Sequence, residues 1–149
     1  NNGAQKYERI LKILRQSLIY AAWIVGFGTV FLFFGAKSLV RFFSDDPKVI
    51  EIGVETLHIV AFLSYAYMLN FIYLSALQGI KKPAFSFWIG LYRQLLLPLI
   101  FFYFIVWVWQ LEMVYLWWAL LFINWSSVAI TFVYARMQFA RLGVQNVER

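Results

Sequence analysis

The sequence predicts an all-α, polytopic membrane protein with four transmembrane helices, on three observations. Four apolar stretches of at least 18 residues contain no Asp, Glu, Lys or Arg, and they cover about residues 17–36, 56–80, 94–111 and 113–135. A helix of that length crosses the ~30 Å hydrocarbon layer of a bilayer. The chain is 63% hydrophobic and 13% charged, whereas a soluble domain has about 25% charged residues. Most basic residues stand at the ends of the stretches, so membrane topology explains the net charge of +6 better than nucleic-acid binding does.

These stretches divide the chain into three parts. Residues 1–16 are predicted to form a cytoplasmic amphipathic connector, residues 17–140 a four-helix transmembrane region, and residues 141–149 a cytoplasmic tail. The four predicted helices cover about residues 17–40, 48–79, 83–110 and 112–138. The connector is basic and has helically spaced apolar residues, so we expect it to lie along the membrane interface.

Local signals place two of the helix ends. Asp46 followed by Pro47 is typical of an N-cap and the first helical position, so the second helix is predicted to begin near Pro47. Gly79, shortly followed by Pro83, predicts the end of that helix and a tight turn into the next.

The distribution of basic residues predicts the orientation. Ten of the thirteen Lys and Arg residues lie near the termini or around the turn at residues 80–83, and the other three are Lys37, Arg41 and Lys48. Basic residues favour the cytoplasmic side. We therefore expect a multi-pass protein of the plasma (inner) membrane with both termini in the cytoplasm. Trp and Tyr residues flank the predicted outer turn at residues 110–113, as in interfacial aromatic belts.

Two of the predicted helices carry a stripe of polar residues. The stripes are Ser64, Tyr67, Asn70 and Gln78 on the second helix, and Asn124, Ser127, Thr131 and Tyr134 on the fourth. Because lipid offers an amide no hydrogen-bond partner, each stripe should face other helices or a wet cavity. Two interpretations stay open, hydrogen bonding between helices and the lining of a transport path. The candidate substrate-pathway residues are Ser64, Tyr67, Asn70, Gln78, Asn124 and Thr131.

Arg93 is the one charge set well inside an apolar segment. In a helix that starts at Pro83 it would lie about 15 Å along the axis. An arginine near the bilayer centre costs roughly 2.5–3.5 kcal/mol on insertion scales. We expect the side chain to reach the cytoplasmic headgroups, or to be held by Gln94, by Gln78 or by a carbonyl freed at a Pro98 kink. Arg93 is therefore a candidate structural or pathway charge.

Nothing in the sequence predicts an enzyme. The chain has one His, no Cys, no glycine-rich phosphate loop and no carboxylate pair at membrane depth. Glu51, Glu55 and His58 have a spacing that could hold a cation, but at the exposed start of a helix they favour a solvated face. We expect no catalytic residue, no metal site and no bound cofactor.

Four short segments, in order along the chain, resemble multidrug and toxic compound extrusion (MATE) transporters. They are Asn2-Gly3-Ala4 with Tyr7-Glu8-Arg9, Phe42-Phe43 before Asp46-Pro47, Leu77-Gln78-Gly79 with Lys82-Pro83, and Arg93-Gln94 through Leu97-Pro98. Lys81 stands where a second glycine is common in this family. Tyr67 stands where the Na⁺-coupled branch often has an acidic residue.

The resemblance implies helices nine to twelve of a twelve-helix transporter, part of its six-helix C-terminal lobe. Family members are secondary active antiporters, and they export organic cations and other amphiphiles in exchange for H⁺ or Na⁺ by alternating access. The chain starts without an initiator Met and inside an amphipathic connector, which predicts that at least one transmembrane helix precedes it. The implied partners are membrane lipid, those missing N-terminal helices and drug-like small molecules, without nucleic acid. With no acid between Glu55 and Glu112, the coupling ion is expected to bind outside this segment.

Two alternatives stay open at this point. One is a segment of a lipid-linked oligosaccharide or polysaccharide flippase of the same superfamily, which a strongly basic cavity would favour. The other is a non-transporting four-helix membrane subunit.

Overall fold

The computed structural model describes the backbone of residues 7–147 and the side chains of residues 8–142. Within this part of the chain all regular structure is helical, and four helices are long and apolar enough to cross a membrane. The helices are α1 (Tyr7–Arg41), α2 (Pro47–Gly79), α3 (Pro83–Val108) and α4 (Val114–Val147). The predicted all-α, four-span fold is confirmed.

Two helices are longer than the spans that the sequence predicts. At 1.5 Å per residue, the 35 residues of α1 extend about 52 Å, well beyond a ~30 Å hydrocarbon layer. The predicted connector therefore continues into the first span as one helix from Tyr7. At the other end α4 runs on to Val147, through the start of the predicted tail at residue 141. The chain has no proline after Pro98, so nothing in it forces an earlier helix end.

The start of α2 is capped as the sequence predicts. The Lys48 backbone N–H donates to Asp46 Oδ1 at 2.9 Å, and Pro47 occupies the first helical turn, where its missing N–H is not needed. The Ser44 hydroxyl oxygen accepts from the Asp46 N–H at 3.2 Å and fixes the approach to the cap. These bonds hold the connection between α1 and α2 to a short, ordered loop.

The turn between α2 and α3 closes with a pair of backbone hydrogen bonds. The Lys82 N–H donates to the Leu77 carbonyl at 3.0 Å, and the Lys81 N–H donates to the Gln78 carbonyl at 3.0 Å. This is the Schellman arrangement, which needs one residue in the left-handed region. Here that residue is Lys81, with φ 63°. The position is the one at which the resemblance noted above would have a glycine.

The helix α2 lies between α1 and α4 and packs against both. Small and aliphatic residues, among them Ala61 and Ala66, are fully buried along it. Near the α2–α3 turn a buried apolar cluster joins α2 to α4, consisting of Leu77, Ile80, Ala135 and Phe139. Beside this cluster the rings of Phe85 and Tyr134 stack with centroids 3.9 Å apart. The described core is therefore an α1–α2–α4 layer with α3 attached at its side.

The helix α3 is irregular in two places. Residues Tyr92–Leu96 and Phe104–Val108 form π-helical turns, and α-helical segments lie around and between them. Pro98 has no N–H, and its ring crowds the carbonyl four residues earlier. The preceding turn is widened, with the Leu97 N–H donating to the Tyr92 carbonyl five residues back. The first π turn, immediately before the proline, contains Arg93.

Candidate functional site

A groove of about 1310 Å³ runs between the first half of α1 and the second half of α2, and Arg93 of α3 contributes to its wall. The walls are mostly aliphatic and aromatic. Polar groups reach it from three helices, namely Ser17, Tyr20, Tyr67, Ser75, Gln78 and Arg93. Concave, mainly apolar spaces with a few placed polar groups are the usual form of small-molecule sites. We take this groove as the candidate functional site.

The Arg93 side chain is half-buried and has neutral neighbours. Its Nη1 donates to Asn124 Oδ1 at 3.4 Å, and its Cζ lies 5.3 Å from the centroid of the Tyr67 ring. Its Nε is buried without a hydrogen-bond partner among the described residues. The sequence predicted Gln94, Gln78 or a freed carbonyl as partners, and the observed contacts are different. The π turn directs Arg93 toward α2 and α4, which a regular-helix projection does not anticipate.

Asn70 is the centre of a buried polar cluster between α2 and α4. Its Oδ1 accepts from Ser127 Oγ at 3.1 Å and from Thr131 Oγ1 at 3.2 Å, and its Nδ2 donates to the Asn124 carbonyl at 3.4 Å. Asn70, Ser127 and Thr131 are completely inaccessible to solvent. Because every strong polar group of Asn70 has a partner, this cluster joins two helices without leaving an unsatisfied amide.

Asn124 connects the groove to that cluster. Its side-chain Nδ2 donates to the Leu120 carbonyl of its own helix at 2.8 Å, which leaves Oδ1 directed at Arg93. Its backbone carbonyl accepts from Asn70. A chain of hydrogen bonds therefore runs from the groove-lining guanidinium to the α2–α4 interface, and Asn124 is its middle member.

The predicted pathway residues fall into two places. Tyr67 and Gln78 line the groove, whereas Asn70, Asn124 and Thr131 lie inside the α2–α4 interface. The remaining residue, Ser64, donates to the Val60 carbonyl of its own helix at 2.9 Å. The polar stripe of α2 covers about 120° of the helix surface. One edge of it faces the groove and the other faces α4, so the structure does not bring these residues into one lining.

Several contacting residues were not found by sequence reasoning. On the α1 wall of the groove, Ile10, Leu14 and Ile24 are apolar, and Ser17 and Tyr20 lie outside the two polar stripes. The Tyr92 hydroxyl lies 3.2 Å from Ser126 Oγ, a second bond between α3 and α4. Both residues lie outside the two polar stripes, and helical periodicity alone could not pair them.

The acidic residues and the histidine near the start of α2 do not assemble into a metal-binding group. His58 Nε2 lies 3.1 Å from the Phe33 carbonyl oxygen, and its ring stacks on Phe33 with centroids 4.2 Å apart. Among the described residues no group of three His, Cys, Asp or Glu side chains could hold a metal ion. His58 thus contributes to packing between α1 and α2.

Four helices long and apolar enough to cross a membrane are the architecture of a multi-pass membrane protein. The sequence model of the MatE family matches residues 1–104, which is well over half of the chain and includes α1, α2 and most of α3. The chain belongs to the MatE family, a family of membrane transporters, and the resemblance stated above is confirmed. No curated protein and no solved structure matches the chain.

Proposed function

We propose that the chain forms helices nine to twelve of a secondary active multidrug efflux antiporter. Such a transporter exports organic cations or amphiphiles in exchange for H⁺ or Na⁺ by alternating access. The observation that carries this proposal is the groove, which combines apolar walls with Tyr67 and Gln78 in a member of a transporter family. Weakly polar, aromatic surfaces suit amphiphilic molecules of varied shape better than a single rigid ligand.

The proposal separates two roles among the polar residues. Tyr67 and Gln78 contact the transported molecule, because they line the groove and Tyr67 is 46% exposed. Asn70, Asn124 and Thr131 hold α2 against α4 and keep the groove wall in place. Aromatic rings of the wall, among them Tyr67, offer stacking surfaces for flat substrates.

The coupling ion binds elsewhere in this proposal. No Asp or Glu is among the described residues that line the groove. Glu51 and Glu55 are exposed near the start of α2, at the end of the helix away from the groove. Binding of Na⁺ needs oxygen ligands, and proton coupling needs a titratable group. We assign that group to helices that precede this segment in the transporter.

The outward surfaces of the helices suit lipid and the remaining helices of the same transporter. Large apolar side chains of α1 are exposed, such as Trp23 at 66% and Phe34 at 82%. In a bilayer such surfaces face acyl chains or pack on other helices without a desolvation penalty. These are the partners that the proposal requires, beside the substrate itself.

The test is efflux of a fluorescent, uncharged amphiphile such as Nile red from cells that lack other exporters and express the full-length transporter containing this chain. We expect Tyr67→Ala and Gln78→Ala to slow the initial efflux rate several-fold. Two matched controls keep the substitution type and leave the groove intact, Tyr115→Ala and Gln94→Ala, since both residues are exposed and lie outside the groove lining.

Equal rates for the groove and control variants would remove Tyr67 and Gln78 from the pathway. Gradient-dependent efflux by the 149-residue chain alone, reconstituted without any partner, would refute its assignment as one part of a larger transporter. No gradient-dependent efflux of any amphiphile by the full-length protein would favour a non-transporting membrane subunit.

A further inference from the structure

We infer that Arg93 makes the groove a binding site for single-chain amphiphiles with one carboxylate group. The inference deepens the proposed function, on which it rests, because it names a substrate class for the same groove. It follows from the charge balance of the groove, from the shape and polarity of its walls, and from the contacts of the guanidinium.

The described residues that line the groove have a net charge of +1. Of its described lining residues Arg93 is charged, and the rest are neutral. The hydrogen-bond acceptor that Arg93 has is an amide oxygen at 3.4 Å, longer than a typical charge-assisted bond of about 2.8 Å. A guanidinium has five N–H donors. Arg93 Nη1 donates to Asn124 and the buried Nε has no partner among the described residues, so the remaining Nη donors are the ones left for a ligand. An approaching anion would find a charge that protein groups have only partly compensated.

The apolar walls of the groove indicate that the rest of the ligand, beside its anionic group, is apolar. Apolar side chains of α1 and α2, among them Ile24, Met68 and Ile72, cover most of the groove surface. A drug-sized ligand fits a space of about 300–1,000 Å³, and this groove has about 1310 Å³. Each CH₂ group that leaves water for such walls makes binding more favourable. A single acyl chain therefore fits along the helices with its head group at Arg93.

A monoanion fits the site better than the other charge types. A cation at the same position would face the Arg93 charge without a nearby acid to offset it. A dianion would leave one negative charge unpaired in an apolar surrounding, which is unfavourable. A planar carboxylate can instead accept two parallel N–H bonds from one guanidinium. Gln78, Ser17 and Ser75 supply further neutral donors along the groove.

The experiment compares three ligands with the same ten-carbon chain, namely decanoate, 1-decanol and decyltrimethylammonium. Each is titrated into the purified full-length transporter in a neutral detergent, and the Kd is measured by thermophoresis. We expect decanoate to bind at least about tenfold more tightly than the other two, a difference of ~1.4 kcal/mol. Arg93→Gln should abolish this preference, and Arg93→Lys should keep part of it. Lys82→Gln, which removes an exposed charge outside the groove lining, should leave it unchanged.

Several results would overturn the inference. Equal affinity for the three ligands in the unmodified protein would mean that a carboxylate of another helix already neutralises Arg93. An unchanged decanoate preference in Arg93→Lys and Arg93→Gln alike would place the anion elsewhere. Loss of decanoate binding on addition of phosphatidylglycerol, without loss on addition of phosphatidylcholine, would make an anionic lipid the occupant.

The outcome is separable from that of the proposed function. If efflux of the uncharged amphiphile occurs and the protein shows no preference for decanoate, the site is wrong while the transporter assignment stands. If the Arg93-dependent preference is measured and no gradient-dependent export of any amphiphile is found, the binding site stands and its role in transport is wrong. The ligand series in the unmodified protein needs no variant, so a folding defect of Arg93→Gln cannot conceal the result.

Discussion

Asn70 shows how a single polar residue can determine packing between membrane helices. Between two apolar helices in lipid, burial of apolar surface gives little net driving force, because acyl chains are equally apolar. Directional hydrogen bonds and close packing then decide which faces meet. Asn70 accepts two hydroxyl bonds from α4 and donates one bond to an α4 carbonyl. Its amide therefore sets both the distance and the rotation of α4 relative to α2.

Asn70→Leu should destabilise the protein although the two side chains are similar in size. Three interhelical bonds are lost, each worth about 0.6 kcal/mol in membrane helices, for a total of about 2 kcal/mol. Ser127 and Thr131 can turn to carbonyls of their own helix, which limits the loss. The measurement is thermal unfolding of the full-length transporter in a mild detergent, followed by near-ultraviolet circular dichroism.

Ser64→Ala is the matched control for this change. The Ser64 hydroxyl donates to Val60, within its own helix. Its removal should alter the unfolding temperature much less than Asn70→Leu. A control variant as unstable as Asn70→Leu would show that polar residues of α2 act through the helix itself and not through α4.

For single residues, the sequence identifies which polar side chains need a hydrogen-bond partner but not which partner each one has. Hydropathy and helical spacing single out Asn70, Asn124 and Thr131, because a polar group at membrane depth needs a partner. The partner itself depends on the rotation of each helix and on the widened turn at Arg93. Neither follows from a projection at a constant 100° per residue, so Asn124 as the acceptor for Arg93 became evident only in the structure.

Between elements, a close contact of α1 and α2 depends on Gly53. A Cβ atom added at Gly53 would lie 2.8 and 2.9 Å from the two methyl carbons of Val40. Real Cβ contacts are not that short, so either the side chain or the helix must move. Overpacking of this kind typically costs about 1–3 kcal/mol. We expect Gly53→Ala to lower the unfolding temperature of the transporter in detergent.

A second substitution tests whether the clash is the cause. Val40→Ala removes both methyl carbons that the new Cβ would meet, so the double variant Gly53→Ala/Val40→Ala should recover stability relative to Gly53→Ala. Gly28→Ala serves as the control on α1, because an added Cβ at Gly28 meets no described atom within 4 Å. Additive losses in the double variant would contradict the proposed contact.

The turn between α2 and α3 has strain at one residue that a glycine should relieve. Lys81 has φ 63°, where a residue with a Cβ atom is less stable than glycine by about 1 kcal/mol. Lys81→Gly should therefore raise the unfolding temperature in detergent. Lys82→Gly removes the same charge at a residue with φ −118°, where glycine relieves no strain. Because glycine also makes the unfolded chain more flexible, this variant should lower the unfolding temperature. Equal shifts for the two variants would mean that charge, rather than backbone conformation, controls stability here.

The sequence predicts helix starts better than helix irregularities. Asp46 and Pro47 act through local chemistry, an N-cap bond and a fixed φ, so their effect can be read from adjacent residues. Pro98 indicates a disturbance in α3 but not its form, which is a π turn two to six residues before the proline. The π turn at Phe104–Val108 contains no proline or glycine, and its own sequence carries no signal for a widened turn.

For the whole molecule, the antiparallel helices place most of the described basic residues at one end. The start of α1, the turn at residues 80–83 and the end of α4 share that end, because successive helices reverse direction through short connections. The groove opens in the same half of the bundle. Span number and fold class follow from apolar length alone. The groove cannot be predicted from apolar length, because its existence depends on how far apart α1 and α2 lie.

The uneven distribution of basic residues predicts the membrane topology of the chain. Because the chain has no cysteine, single introduced cysteines can test this prediction. Eight of the eleven basic residues that the structure describes lie toward the end of the bundle that carries Lys82, so the positive-inside rule places that end in the cytoplasm. Single cysteines are introduced at Lys82, Asp45 and Met113, each of which is exposed in a connection between helices. An impermeant maleimide should label Asp45→Cys and Met113→Cys in intact cells. It should label Lys82→Cys only in inverted membrane vesicles, and the opposite pattern would reverse the orientation and make the groove open to the outside.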